Sequence, residues 1–454
     1  MQQNLTEGNI FRGLLKFSVP YLITCFLQTF YGMADLLITG QFYGASAISA
    51  VSIGSSVMNM VTVVIAGLAM GATVLIGKNI GAGRKEDVQK DIGTSICLFL
   101  IVAAIITAIL LVSIRGMVFV MRVPEEAKPA TFHYLFICYL GVPFITAYNM
   151  LSAIFRGLGD TKSPMYFAFA AGIINIFGDL FLIGYVGLGA AGAATATVCS
   201  QAGSVLFAIL FLKKKRNYIQ VRRKDLKLDS SLIRNIFSVG VPIAFQDGCI
   251  QVSFLIITII ANTRGVDISA AVGIVEKIIG FLFLVPSAMQ ASVTAISAQN
   301  IGAGKDSRAL STLKYAIAVC CTYSIVIITV CEAFAYPVIR LFTKDQEVVA
   351  LGVQYFRTYL ADTFFAGFHF CFSGYFCAYN KAIYSFLHNI ASILVIRIPG
   401  SILATILFPA TLYAMGCAPA GGSLLSTIIC LILYFHGKKR GYWTGAKSMV
   451  QSNA

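Results

Sequence analysis

Charge is what this sequence has least of. Only 12% of its 454 residues are Asp, Glu, Lys or Arg, about half the share in an ordinary soluble domain. That shortage excludes a water-soluble enzyme of this length, and a disordered chain with it. Histidine is scarce too. The four (His133, His369, His388 and His436) are scattered, with no HExxH and no nucleophile beside them. No G-x-S-x-G elbow stands in a strand–turn–helix context, so hydrolase constellations are absent. No GK[ST] ending marks a phosphate-binding loop, which argues against an ATP-driven motor in this chain and against an expected ATPase subunit. The 12 cysteines contain no C-x-x-C. Nearly all, such as Cys25, Cys97, Cys199, Cys371 and Cys430, lie inside apolar runs and read as small buried hydrophobes, not as a metal or redox site. No cleavable signal segment is expected, because the first apolar run follows Lys16 and outlasts a signal's short core.

What the chain has is hydrophobic length. Apolar residues make up 58% and mean hydropathy is +0.82. Twelve runs are long enough to span a membrane: 14–41, 48–77, 91–119, 131–155, 164–186, 190–212, 232–261, 269–298, 310–339, 350–378, 383–408 and 413–435. Each exceeds the ~20 residues a helix needs to cross the hydrocarbon core. A membrane barrel would show short alternating segments instead. The expected fold is an all-α polytopic membrane protein in the lipid bilayer.

The 34 Lys and Arg against 19 Asp and Glu give a formal +15. These basic residues sit between the apolar runs, not interleaved with aromatics as a nucleic-acid module needs, so no nucleic acid is expected. With the N-terminus cytoplasmic, 25 basic residues fall on the inner side, 6 on the outer side and 3 within helices. That bias puts both termini inside a plasma membrane. The longest polar stretch, 213–231, reads as a solvated basic linker near anionic headgroups.

The two halves repeat. Phe17-Ser18-Val19 followed by Pro20 recurs as Phe237-Ser238-Val239 followed by Pro242, and Asn79-Ile80-Gly81-Ala82-Gly83 recurs as Asn300-Ile301-Gly302-Ala303-Gly304. Ser152 and Phe155 pair more weakly with Ser373 and Phe376. A near-constant shift with six helices per half predicts two pseudo-symmetric six-helix lobes around a central cleft. The lobes are expected at 1–212 and 232–437, joined by the linker 213–231, with a tail at 438–454. The glycines of both loops suit tight helix-to-helix turns.

Over nearly its whole length the chain resembles the MATE family of multidrug and toxic compound extrusion transporters. The residues that carry the resemblance are the Gly67–Gly83 stretch, the segment Arg156-Gly157-Leu158-Gly159-Asp160-Thr161-Lys162-Ser163-Pro164 after the fourth helix, Pro20, and Arg397-Ile398-Pro399. The resemblance implies alternating access between two lobes and export of small organic substrates against H⁺ or Na⁺. It implies no cofactor beyond that coupling ion. The protein is expected to act as a monomer.

Ionisable groups inside apolar runs are costly and point to function. Six acids lie there: Asp35, Asp179, Asp247, Glu276, Glu332 and Asp362. Asp35 has no Lys or Arg near it in sequence. Asn175 and Asp179 share one helix face by their i,i+4 spacing. Together with Thr197 these residues make an oxygen-rich cage for a proton network or Na⁺, or else a static polar network. The set resembles the ion-coupling cluster of archaeal and DinF-type members. Pro20 can kink the first helix and link ion state to its shape, or fix a permanent kink. In the second half, NorM-type members place a Glu on helix seven and an Asp on helix ten. Here Gln251 stands where that Glu aligns, and Asp362 fills the other place, which puts the chain closer to the DinF-like pattern. Asp247, Gln251, Glu276 and Asp362 form a second polar or substrate site. Glu276 either attracts cationic substrate or pairs with a base such as Arg397. Glu332 is expected to snorkel to the interface. Tyr31, Phe364, Phe365 and Phe368 are cavity-wall candidates for lipophilic organic cations. The alternatives are a flippase for lipid-linked precursors, an intramembrane enzyme and a passive channel. Twelve helices and an acidic interior argue against the flippase.

Overall fold

The computed structural model describes residues 4–214 and 222–444. Of the expected basic linker, residues 215–221 lie outside the described residues, as do 445–454 of the tail. The described residues form helices and connecting turns, with no strand among them. In hydrocarbon a long apolar segment must satisfy its own backbone, and a helix does so within itself.

The membrane helices, in order, are α1 (Ile10–Phe42), α2 (Ala45–Gly81), α3 (Lys85–Val120), α4 (Lys128–Gly157), α5 (Lys162–Tyr185), α6 (Gly189–Lys214), α7 (Ser230–Asn262), α8 (Val266–Gly302), α9 (Asp306–Ala333), α10 (Gln346–Ala378), α11 (Ala382–Leu407) and α12 (Tyr413–Lys439). Eleven of them are long and apolar enough to cross a membrane. The other, α10, has the length, at 33 residues. Its Arg357, Asp362, His369 and tyrosines dilute its apolar character.

Four irregularities break runs that read as continuous in the sequence. The eighth run parts at Phe283, and the ninth at Phe334. Pro286 and Pro337 explain both: a proline ring clashes with the carbonyl four residues back, at Leu282 and Ala333, which are the last residues before each break. The other two are π-turns, at Leu180–Tyr185 in α5 and Ile393–Arg397 in α11, the fifth helix of each half.

The chain forms two compact units. One groups Asn4 with Val19–Phe237. The other groups Leu5–Ser18 with the chain from Ser238 onward. In the first unit, Phe155, Phe167 and Phe211 pack edge to face with centroids 5.6 to 6.2 Å apart. They share a core with Phe99, Ile154 and Ile236. A second core gathers Ile65, Tyr134, Tyr139, Val142 and Ile183. In the second unit, Ile257, Val275, Tyr355, Tyr359 and Met415 are buried together.

The sequence repeat is also a structural one. Thr73 Oγ1 donates to the Ala153 carbonyl at 3.0 Å, joining α2 to α4. Thr294 Oγ1 lies 3.2 Å from the Gly374 carbonyl, joining α8 to α10. Both partners sit 221 positions after their counterparts. Hydroxyl-to-backbone bonds of this kind hold helices together where apolar surface gains nothing from leaving lipid. The two repeated turns match as well. Gly83 and Gly304 take φ of 71° and 70°, the left-handed region that glycine enters without strain. The Arg84 amide returns to Asn79 O, and the Lys305 amide to Asn300 O.

Candidate functional site

Four side chains expected to act together do meet inside the first unit. Asp35 on α1 is buried, and its Oδ2 accepts a hydrogen bond from Thr197 Oγ1 on α6 at 3.0 Å. Asn175 on α5 points its amide at the same hydroxyl from 3.4 Å. Asp179, one turn further along α5, is fully buried in the neighbourhood of Asp35. Two neighbouring buried carboxyls favour a proton or a cation that offsets their charge.

The oxygens left over define what the cluster can hold. Asp35 Oδ1, Asn175 Oδ1 and both oxygens of Asp179 are buried without an N–H or O–H donor among the described residues. Four buried, unpartnered oxygens and no nitrogen or sulfur ligand suit a hard monovalent ion or a shared proton. Nowhere among the described residues do three His, Cys, Asp or Glu gather as a multivalent metal site would need.

Local structure sets this geometry. Asp179 is the last residue before the π-turn of α5, which inserts an extra residue per turn and re-aims the side chains around it. Gly178 lets α5 approach α6, since a Cβ there would sit 3.0 Å from that of Ala196. Tyr31, one turn before Asp35, is buried, and its hydroxyl accepts from Gln201 Nε2 at 3.1 Å. Gln201 was not foreseen, although it follows Thr197 by four residues on α6 and so shares its face. Pro20 lies inside α1, and its carbonyl takes the Thr24 hydroxyl at 2.9 Å.

The second unit holds a different polar set. Asp362 is fully buried on α10, while Asp247 and Gln251 are half-buried on α7. Asp247 accepts from the adjacent Gln246 at 3.3 Å. Glu276 accepts from Thr258 at 3.2 Å. Arg397, at the end of the α11 π-turn, is buried. Its guanidinium donates to the Tyr359 hydroxyl at 2.7 Å and lies 4.6 Å over the Phe254 ring. Among the described residues it makes no ion pair within contact distance. Glu332 is met by Arg357 of α10 at 3.3 Å, a partially exposed ion pair that the sequence reading did not anticipate. Phe364, Phe365 and Phe368 are half-buried and pack on one another, with centroids 5.4 and 5.6 Å apart.

The loop motifs do structural work. Asn79 bonds Asp91 at 2.7 Å. Arg156 lies 5.3 Å over the Tyr21 ring. Gly157 abuts Ile76 and the Thr73 carbonyl, where a Cβ would come within 3.0 Å. Gly159 has φ of 83°. Asp160 then caps the start of α5 through the Lys162 and Ser163 amides, each at 3.0 Å. Gly81 and Gly302 end α2 and α8, and Asn300 is buried.

Comparisons with known proteins bear on all of this. The MatE family model matches residues 20–181 and 242–403. The second match begins and ends 222 residues after the first, and both start on a proline. The chain is 27% identical over 451 residues to the probable multidrug resistance protein YpnP of Bacillus subtilis, covering 99% of each. It is 25% identical over 370 residues to the multidrug export protein MepA of Staphylococcus haemolyticus, covering 81% of each. Among solved structures, a multidrug resistance MATE family transporter in an outward-facing conformation superposes with TM-score 0.89 at 22% identity, covering 97% of each chain. A transporter of the same superfamily from Pyrococcus furiosus superposes with TM-score 0.88 at 22% identity, covering 96% of this chain and 97% of that one. The fold they share is a two-lobed bundle of twelve membrane helices.

Proposed function

The chain belongs to the MatE family of membrane transporters, and from that premise we propose that it is an antiporter exporting amphipathic, cationic organic compounds in exchange for H⁺ or Na⁺. The observation that carries the proposal is the buried cluster of Asp35, Thr197, Asn175 and Asp179, with no basic side chain among its hydrogen-bond partners within the described residues.

A buried pair of acids is stable in lipid only when its charge is met. A proton or Na⁺ arriving between them meets it. Leaving again, the ion restores an acid pair that favours a cationic partner. If the ion and the substrate favour opposite orientations of the transporter, linkage makes each drive the other's release. Pro20 supports a flexible α1, because it removes one rung of the helix ladder fifteen residues before Asp35. That distance along the helix is about 22 Å. The names of the relatives support export of drug-like compounds. The 25-to-6 bias in basic residues supports a plasma-membrane protein with both termini cytoplasmic. The chain then works as a monomer, without an ATPase partner. In this reading Asp362, Glu276, Asp247 and Gln251 face substrate in the second half, with Phe364, Phe365 and Phe368 as an apolar wall.

The test is movement of a fluorescent organic cation in proteoliposomes under an imposed pH or Na⁺ gradient, wild type beside Asp35→Asn. Accumulation against the cation's own gradient, driven by one ion and lost in the variant, is the expected result. An Asp35→Asn protein that concentrates the cation at the wild-type rate overturns the proposal. Lack of movement under either gradient redirects attention to lipid-linked substrates.

A further inference from the structure

The segment that leads into α1 does not stay with the rest of that helix. Leu5–Ser18 belongs to the second unit, whereas α1 from Val19 onward belongs to the first. The attachment is specific. Asn300 Nδ2 donates to the Leu5 carbonyl at 3.1 Å, Lys305 Nζ to the Thr6 carbonyl at 3.0 Å, and Arg308 to the Gly8 carbonyl at 3.1 Å. Arg308 Nε also holds Asn300 Oδ1 at 3.1 Å, so the donors are fixed before they reach the strap. Leu5, which opens the strap, is buried, and Phe11 packs on Tyr315 with centroids 5.9 Å apart. All three donors lie in or just after the repeated Asn300–Gly304 turn.

The other half is built alike with different chemistry. The chain before α7 straps the first unit: Thr94 Oγ1 donates to the Lys227 carbonyl at 2.9 Å, and the Asp225 carbonyl rests on Gly93, where a Cβ would come within 2.0 Å. Helix α7 starts in the first unit and passes to the second between Phe237 and Ser238. Each crossing coincides with a missing rung. Pro20 cannot bond the Lys16 carbonyl, and Pro242 cannot bond that of Ser238. The weakened stretches, 16–20 and 238–242, adjoin or include the crossing points.

We propose that Asn300, Lys305 and Arg308 are positioning residues for transport: they keep the strap Leu5–Gly8 fastened to the second unit throughout the cycle and so anchor the start of α1. The proposal rests on the alternating-access reading, but not on which ion drives it. A helix shared by two bodies that move must flex where it crosses, and it transmits force only if its far end is anchored. The strap is that anchor. It acts through α1 and touches neither ion nor substrate.

The experiment uses the full chain, with native cysteines replaced and Glu7→Cys/Ser307→Cys introduced, since both side chains are exposed. Spin labels at the two sites should give one narrow distance whether the pH or Na⁺ concentration is high or low. Joining the two thiols with a short bis-maleimide should leave gradient-driven uptake at the unlinked rate. In the otherwise native protein, Asn300→Ala/Arg308→Ala should bind the fluorescent cation with unchanged Kd and lose uptake by about tenfold, as the loss of several hydrogen bonds allows. Arg308→Lys should recover part of it. A second distance population, arrest of transport by the cross-link, or wild-type uptake in the double variant would each overturn the strap. If the wild type itself moves no cation, the transport reading fails, and the distance measurement still decides whether the strap stays bound.

Discussion

Thr197 Oγ1 lies 3.0 Å from Asp35 Oδ2 and 3.0 Å from the Ala193 carbonyl of its own helix. One hydroxyl proton serves only one of them at a time. When Asp35 is charged the proton belongs there, and when Asp35 is neutralised it returns to Ala193. Thr197→Val keeps the shape and removes the donor. Coupled uptake should fall by roughly ten- to hundredfold, the worth of one hydrogen bond to a charged group. Thr197→Ser should behave nearly as wild type. Uptake assays on the two variants check this, and equal loss in both would mean that the methyl group matters and the hydroxyl does not.

Asp179→Asn separates coupling from stability. The substitution removes one of two neighbouring buried acids and puts a neutral amide in its place. Exchanging a buried charge for a neutral isostere often leaves a protein as stable or more so. Thermal unfolding in detergent should therefore occur at the wild-type temperature or above it, while ion-driven uptake is lost. A large fall in melting temperature would mark the cluster as a structural brace.

The helices were legible because eleven of the twelve are long apolar runs, and α10 stood out by its length. Asn175 and Asp179 were legible as neighbours through their spacing. Their grouping with Asp35 and Thr197 was expected from polar residues inside apolar runs and from the family resemblance, but spacing could not establish it, because it joins three helices. The π-turns after Asp179 and before Arg397 left no trace in hydropathy, since one extra residue in a turn does not change composition. The breaks at Phe283 and Phe334 had a visible cause in Pro286 and Pro337, but so did Pro20, Pro143, Pro242 and Pro419, which stay inside unbroken helices. Tertiary packing decides which proline breaks a helix. The ion pair of Glu332 with Arg357 and the seating of Leu5–Ser18 in the second unit were equally out of reach. Hydropathy cannot say which body a segment packs against.

Glycine substitutions test the close approach of α8 and α10. A Cβ on Gly374 would stand 2.4 Å from the Gln290 carbonyl, a backbone atom that cannot step aside alone. Gly374→Ala should destabilise by roughly 1–3 kcal/mol as the helices are pushed apart. Gly273, in the first part of α8, has open space around it. Gly273→Ala should instead stabilise by up to about 1 kcal/mol, the difference in helix propensity. Thermal unfolding of the pair in one detergent gives opposite signs if the packing is as described.

Asp229 caps α7 from outside the membrane. Its Oδ1 accepts the Ser231 amide at 2.8 Å, the Ser231 hydroxyl at 2.7 Å and the Leu232 amide at 3.3 Å. These bonds, the hydroxyl first, hold its carboxyl below the ordinary value of 3.8. A carboxyl depressed in the folded state stabilises the fold above its unfolded pKa, and that contribution is lost as pH falls through the folded pKa. Asp229→Ala should therefore cost about 1 kcal/mol at neutral pH, as loss of a cap does. The cost should fade below about pH 4, where the unfolded carboxyl begins to hold its proton. Because this turn anchors the end of α7 that packs in the first unit, the same variant should speed amide exchange in residues 231–237 before it affects the rest of the helix. A constant difference in melting temperature from pH 7 to pH 3 would show that the side chain contributes packing and not a charged cap.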